Sequence, residues 1–203
     1  MPRGTRSRGS AMNEEARDVL DFWFGPGDGG AFGAPRKEWF TKDAAFDAQL
    51  RERYEALWER ARAGALSRWD GSPRESLALI LICDQFPRNM FRGDPRSFAT
   101  DPLALDAARR MLGRGWDKQL VSVEKAFCYL PFEHSEDLLD QDRSVGLFSG
   151  DPSDTVLMGY ADYAIRHRDF IARFGRFPHR NAILGRTSTP AEIEFLSQPG
   201  SSF

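Results

Sequence analysis

The sequence predicts an all-α protein on three observations. Apolar residues recur at helical spacing through most of the chain, no run alternates with period two between hairpin turns, and Pro and Gly punctuate the periodic stretches.

Asn13 caps a first helix in which Ala16, Val19, Leu20 and Trp23 form one stripe, and Gly25-Pro26-Gly27 stops it. A Gly-rich loop runs on to about Pro35. Phe46, Leu50, Tyr54, Leu57, Trp58 and Ala61 line one face of a long amphipathic helix from Asp43 to Gly64. Ser72-Pro73-Arg74-Glu75 reads as a capping box with Pro at the first helical position. It opens an apolar, central helix from Leu77 to Phe86, which Pro87 is expected to end because it brings no N–H. Asp101-Pro102 opens another helix, closing around Gly113 to Gly115. Val121 to Leu130 and Ser135 to Phe148 flank Pro131, where a break or kink is expected. Ser153 caps a long helix closed after Phe174 by Gly175, and Thr189-Pro190-Ala191-Glu192 starts a short last one to about Leu196. The expectation is one compact domain of about eight helices over residues 13–203, behind a disordered Arg/Gly/Ser-rich extension, 1–12.

Composition narrows the class. The 203 residues carry a net charge of -2, against the basic face and high pI of a dedicated duplex-DNA binder, so nucleic acid is not the expected partner. No apolar run approaches the roughly 18 to 20 residues of a membrane span, and the first residues lack the apolar core of a secretory signal. Cys83 and Cys128 both lie in apolar runs and read as free buried thiols of a reducing compartment, which sets the expected location as cytoplasmic. Phe 16 against Trp 5 and Tyr 4 places the aromatic excess inside, since Phe has no polar handle.

Polar residues crowd against Phe and Pro in three segments: DQFPRNMFRG (84–93), LPFEHSEDLLDQ (130–141) and GRFPHRNAILGR (175–186). The first and third share a pattern, Phe86-Pro87-Arg88-Asn89 against Phe177-Pro178-His179-Arg180-Asn181, which offers fixed donors at helix ends. The middle segment is acidic (Glu133, Glu136, Asp137, Asp140, Asp142) and the third basic (Arg173, Arg176, Arg180, Arg186). Either these charges pair as loop-anchoring struts, or some arginines are left free for an anionic ligand. His167 continues the stripe of Tyr160, Ala164, Ile171 and Phe174 and reads as a hydrogen-bonded core histidine, whereas His134 and His179 lie on irregular backbone, where sites tend to be built.

The segments LDFWFG, LALILICDQFPRNMFRGDPRSFATD, LPFEHSEDLLDQDRSVGLF and FGRFPHRNAILGRTSTPAEIEFL resemble, in order from about Asp18 to Leu196, the bacterial domain-of-unknown-function family 924. The resemblance implies an all-helical fold grouped with tetratricopeptide-repeat-like proteins and supplies no established active site. The repeat consensus of about 34 residues is not visible in the chain, so that grouping comes from the resemblance alone.

Three functional readings stand side by side. The first is a binding module with Arg88, Asn89, Arg92, Arg176, His179, Arg180 and Asn181 around a polar pocket, for a small anionic ligand or an acidic peptide end. The second is a hydrolase-like enzyme with Glu133 and His134 as acid/base pair and Arg180 as anion clamp. The third is a structural protein whose polar motifs only lock the fold. No HExxH, GxSxG, P-loop or GxGxxG is present, so neither a metal nor another cofactor is expected.

Overall fold

Local capping chemistry sets most of the helix starts in the computed structural model, which describes residues 12–27, 32–34 and 36–201. Residues 1–11 of the expected extension, and part of the Gly-rich loop, lie outside the described residues. The helices are α1 (Glu14–Phe24), α2 (Ala44–Arg62), α3 (Pro73–Met90), α4 (Asp101–Gly113), α5 (Ser122–Glu133), α6 (Leu138–Ser149), α7 (Thr155–Phe174) and α8 (Pro190–Leu196), and the described residues contain no strand. Asn13 accepts from the amides of Glu15 and Ala16, Asp43 from Ala45 and Phe46, and Ser72 from Glu75, so α1, α2 and α3 begin where the sequence predicts. Thr189 and Glu192 form the expected capping box of α8. Gly175 closes α7 in the left-handed region, at φ 68.

Two helix starts differ by a few residues. α6 starts at Leu138 rather than Ser135, with Asp137 as its cap, and the Ser135 hydroxyl turns to Asp140 at 2.8 Å. Asp154, not Ser153, caps α7, and Ser153 bonds Asp151 instead.

The larger correction concerns proline. α3 does not end at Phe86 but runs through Pro87 to Met90, and α5 runs through Pro131 to Glu133. Pro87 removes the N–H that would serve the Cys83 carbonyl. The fully buried Thr100 hydroxyl supplies the missing donor, 2.6 Å from that oxygen, and in turn accepts the indole N–H of Trp58 at 3.0 Å. A tertiary contact thus carries the helix past its breaker and delivers Arg88 one turn beyond Asp84.

α3 is the hub, packed against α1, α2, α4 and α5, while α6 and α7 pack on α5 and on each other. Its apolar residues are buried all round, from Leu77 to Phe86. Trp23, Trp39, Phe86 and Phe127 interlock at its flank, Trp39 and Phe127 edge to face at 4.9 Å. Phe86, Phe132 and Phe177, the three rings beside the prolines of the polar motifs, are completely buried. Both cysteines are buried and free, and burial pushes the Cys83 thiol up to about 12. No helix of the described residues is long and apolar enough to cross a membrane.

Candidate functional site

The polar motifs converge beside α3, but not all of their residues do. Asp84 sits in the middle of the apolar helix and is fully buried. Burial alone would raise its pKa, yet the charges of Arg88 and His134, with hydrogen bonds from His134 and Gln85, hold it down at about 2. Its Oδ1 lies 2.7 Å from His134 Nδ1 and 3.1 Å from Arg88 Nη1, while Oδ2 accepts from Gln85 at 2.6 Å. Arg88 also grips Asp101, the first residue of α4, with both terminal nitrogens at 2.8 and 2.9 Å. Arg88 Nη1 therefore bridges two carboxylates, Asp84 and Asp101.

Arg180 reaches the same Asp101 from the 3-10 turn Pro178–Arg180, with Nη1 3.4 Å from Oδ2. The two related motifs, Phe86-Pro87-Arg88 and Phe177-Pro178-His179-Arg180, thus bring their arginines to one carboxylate, Arg180 from 79 residues along the chain. The Arg180 guanidinium is held between the rings of Phe98 and Phe177, 4.6 and 4.5 Å from their centroids. Among the described residues its Nε and Nη2, which form the side-on fork, make no hydrogen bond to the protein. Burial, then the neighbouring charge of Arg88, lowers the Arg180 pKa to about 10, still fully charged at neutral pH.

Glu133, expected as the partner of His134, faces elsewhere. Its Oε1 lies 3.3 Å from His167 Nδ1, a nitrogen that also bonds the Tyr163 carbonyl at 2.8 Å. His167 is buried, as its place in the α7 stripe predicts. Burial first, then the charge of Asp84, pushes Glu133 up to about 8, and its Oε2 has no hydrogen-bond partner. His134 and His167 stand 6.4 Å apart, His167 packs on Phe177, and Phe177 on His179, so the three histidines line one side of the cluster. Burial lowers the pKa of His134, with Arg88 adding to the effect, and that of His179 falls to about 4. Both rings are neutral at pH 7.

The remaining expected ligand-binding residues sit in struts. Asn89 and Arg92 bind Asp47 of α2, at 2.9 and 2.5 Å. Arg176 grips Glu192 of α8 at 2.7 and 2.8 Å, and Asn181 spans Ser188 and Arg186. Arg186 holds Glu136, which also accepts the Phe177 amide. The pairs of Arg176, Asn181 and Arg186 fix the loop that carries Arg180, whereas those of Asn89 and Arg92 tie α3 to α2. Asp84 and Asp101, central to the cluster, were missed by sequence reasoning as site residues; the available signal for Asp84 was a lone carboxylate in an otherwise apolar helix.

Two cavities, of about 410 and 400 Å³, run along α1 and involve no residue of this cluster. Access to the cluster is through a narrow rim, the side chains of Arg88, Asp101 and His134 being 18%, 18% and 13% exposed. Among the described residues no group of three or more His, Cys, Asp or Glu is placed to hold a metal ion.

The chain is similar over most of its length to a solved protein of unknown function, ATU0120 from Agrobacterium tumefaciens. The two share 40% identity and a TM-score of 0.79, covering 90% of this chain and 97% of that one. No curated protein matches. Residues 19–200 match the family described as "Bacterial protein of unknown function (DUF924)". With nearly the whole helical domain inside that match, the chain belongs to the DUF924 family.

Proposed function

We propose that this protein is a helical binding module for a small anion, or for the anionic end of a peptide, seated on the free fork of Arg180. The observation that carries the reading is the Nε–H of Arg180, a buried donor with no hydrogen-bond partner among the described residues. Asp101 is gripped by both terminal nitrogens of Arg88 and gives Arg180 one long contact, while Nε and Nη2 make none among the described residues. A buried guanidinium edge whose donors are not met by the protein is the group that a carboxylate or phosphate satisfies through two parallel hydrogen bonds.

Thermal unfolding in millimolar phosphate, sulfate and a dicarboxylate tests the proposal. Binding to the folded state alone raises the melting temperature with ligand concentration. The expected result is such a rise in the wild type and its absence in Arg180→Met, with far-UV circular dichroism confirming that the variant is folded. A wild type indifferent to all three anions contradicts the reading.

A second reading, a hydrolase-like enzyme, is favoured by the 2.7 Å pair of His134 with the ionised Asp84, which orients an imidazole as proton acceptor. In that reading Asp84 replaces Glu133 as the partner of His134. A turnover screen decides it: any activity found must fall in His134→Ala, and a rate that survives removes His134 from the chemistry.

A further inference from the structure

We propose that the outer face of α7 is the docking surface for a second copy of this chain, the two α7 helices pairing antiparallel about a two-fold axis. This surface lies apart from the Arg180 cluster, and the inference goes beyond the anion-binding reading without resting on it.

α7 turns one face to the core: Leu157, Ala161, Ala164, His167 and Ile171 are buried against α5 and α6. The opposite face carries Asp162, Arg166, Asp169 and Arg173, spaced by four, three and four residues, so the four lie along one line of the helix, and all are exposed. An exposed line of alternating charge commonly pairs within its own helix. Here it does not: among the described residues Asp162, Arg166 and Arg173 make no ion pair. Asp169 has one long contact, at 3.5 Å, with Arg168, whose closer partner is Asp142 at 2.9 Å.

Apolar side chains flank the charged line on both edges. Met158, Ile165 and Ala172 follow one edge at heptad spacing, with Met158 37% and Ile165 43% exposed. Tyr163, 54% exposed, and Phe170 follow the other. α8 reaches the far end of this second edge, where Phe195 meets Phe170 and Phe174 at 4.8 and 5.0 Å.

This face is complementary to itself in one register. With two α7 helices antiparallel and the axis passing between residues 167 and 168, Asp162 of each copy stands opposite Arg173 of the other, and Arg166 opposite Asp169. Every charge of both lines then has an opposite partner. A parallel pair sets like charges side by side, and an antiparallel pair shifted by a heptad leaves Asp169 and Arg173 opposite Gly159 and Thr155. The two-fold axis also brings like edges together. Tyr163 of one copy arrives level with Ala172 of the other, between Phe170 and Phe174 and on their edge of the helix. Such reciprocal matching, in which one residue meets a second and the second meets the first, belongs to an isologous contact, which is why the occupant is a second copy. The ion pairs fix the register, and the apolar edges supply most of the attraction.

Sedimentation equilibrium of the full chain tests the pairing, with two charge-reversed variants. Arg166→Asp with Arg173→Asp makes the line all acidic, and Asp162→Arg with Asp169→Arg makes it all basic. The expected result is a wild type that dimerises with concentration, each variant alone weakened by at least about tenfold, and an equimolar mixture of the two that regains wild-type affinity. A wild type that stays monomeric up to about 1 mM overturns the inference. Variants that dimerise as wild type does, or a mixture that stays monomeric, overturn it equally.

Dilution of the ¹⁵N-labelled wild type gives a check that needs no variant to fold. Amide signals from Asp162 to Arg173 should move with concentration while those of α1 stay in place. Movement that spares α7 overturns the inference.

Discussion

The hydroxyl of Thr100 donates to the carbonyl oxygen of Cys83 at 2.6 Å, the carbonyl that Pro87 leaves without a helical donor. Replacing Thr100 with Val keeps the shape and leaves two buried groups unpaired, that carbonyl and the Trp58 indole N–H. We expect Thr100→Val to cost about 2 to 5 kcal/mol in urea unfolding. Adding Pro87→Ala restores an N–H at the right place, so the double variant should recover part of the loss. Additivity of the two changes would contradict this account of the proline.

Asp84 is the carboxylate on which the cluster turns. Asp84→Asn keeps the volume, removes the charge that balances Arg88, and breaks the acceptor pairing with His134 Nδ1. Breaking a buried pair in this way costs about 3 to 5 kcal/mol. The exposed pair Arg60 with Glu15 is the control, and Glu15→Gln should change stability by less than about 1 kcal/mol.

The buried histidines and Glu133 predict a stability maximum in pH. Burial holds His167 at about 3 and His179 at about 4, both below the ordinary 6.5, so the folded state binds fewer protons than the unfolded one and stability is lost as pH falls below about 6.5. Glu133 has the opposite sign. Raised from 4.5 to about 8, its contribution is fully present at low pH and is lost as pH rises toward 8. Denaturation midpoints should therefore peak near pH 6.5, and Glu133→Gln should flatten the fall on the alkaline side and steepen the rise between about pH 4.5 and 6.5, where Glu133 opposes the histidines. A midpoint of the variant that falls as steeply as wild type between about pH 6.5 and 8 contradicts the assignment.

Much of the fold was legible because capping is local. Asn13, Asp43, Ser72 and Thr189 each announce a helix with a side chain that bonds an amide two or three residues on. The continuation of α3 was not legible, since it depends on a hydroxyl 17 residues away that only the folded chain brings to Cys83. The candidate site was legible in part. Arg88, His134, His179 and Arg180 were singled out by their motifs, and they gather in space. Asn89, Arg92, Arg176 and Asn181 carry the same residue types, yet their partners are Asp47, Glu192 and Ser188, and residue type alone does not separate a strut from a free donor. Asp101 read as a helix opener because its place before Pro102 explained it fully, which hid its second role as acceptor for two guanidiniums.

The most direct test of the central claim is the ¹H–¹⁵N signal of the Arg180 Nε–H group, a donor without a hydrogen-bond partner in the structure. Titration with inorganic phosphate should move that signal to saturation, while the Nε–H of Arg176, engaged with Glu192, stays in place. An Arg180 signal that does not move at millimolar phosphate, or that moves no more than Arg176, contradicts an anion site on this fork.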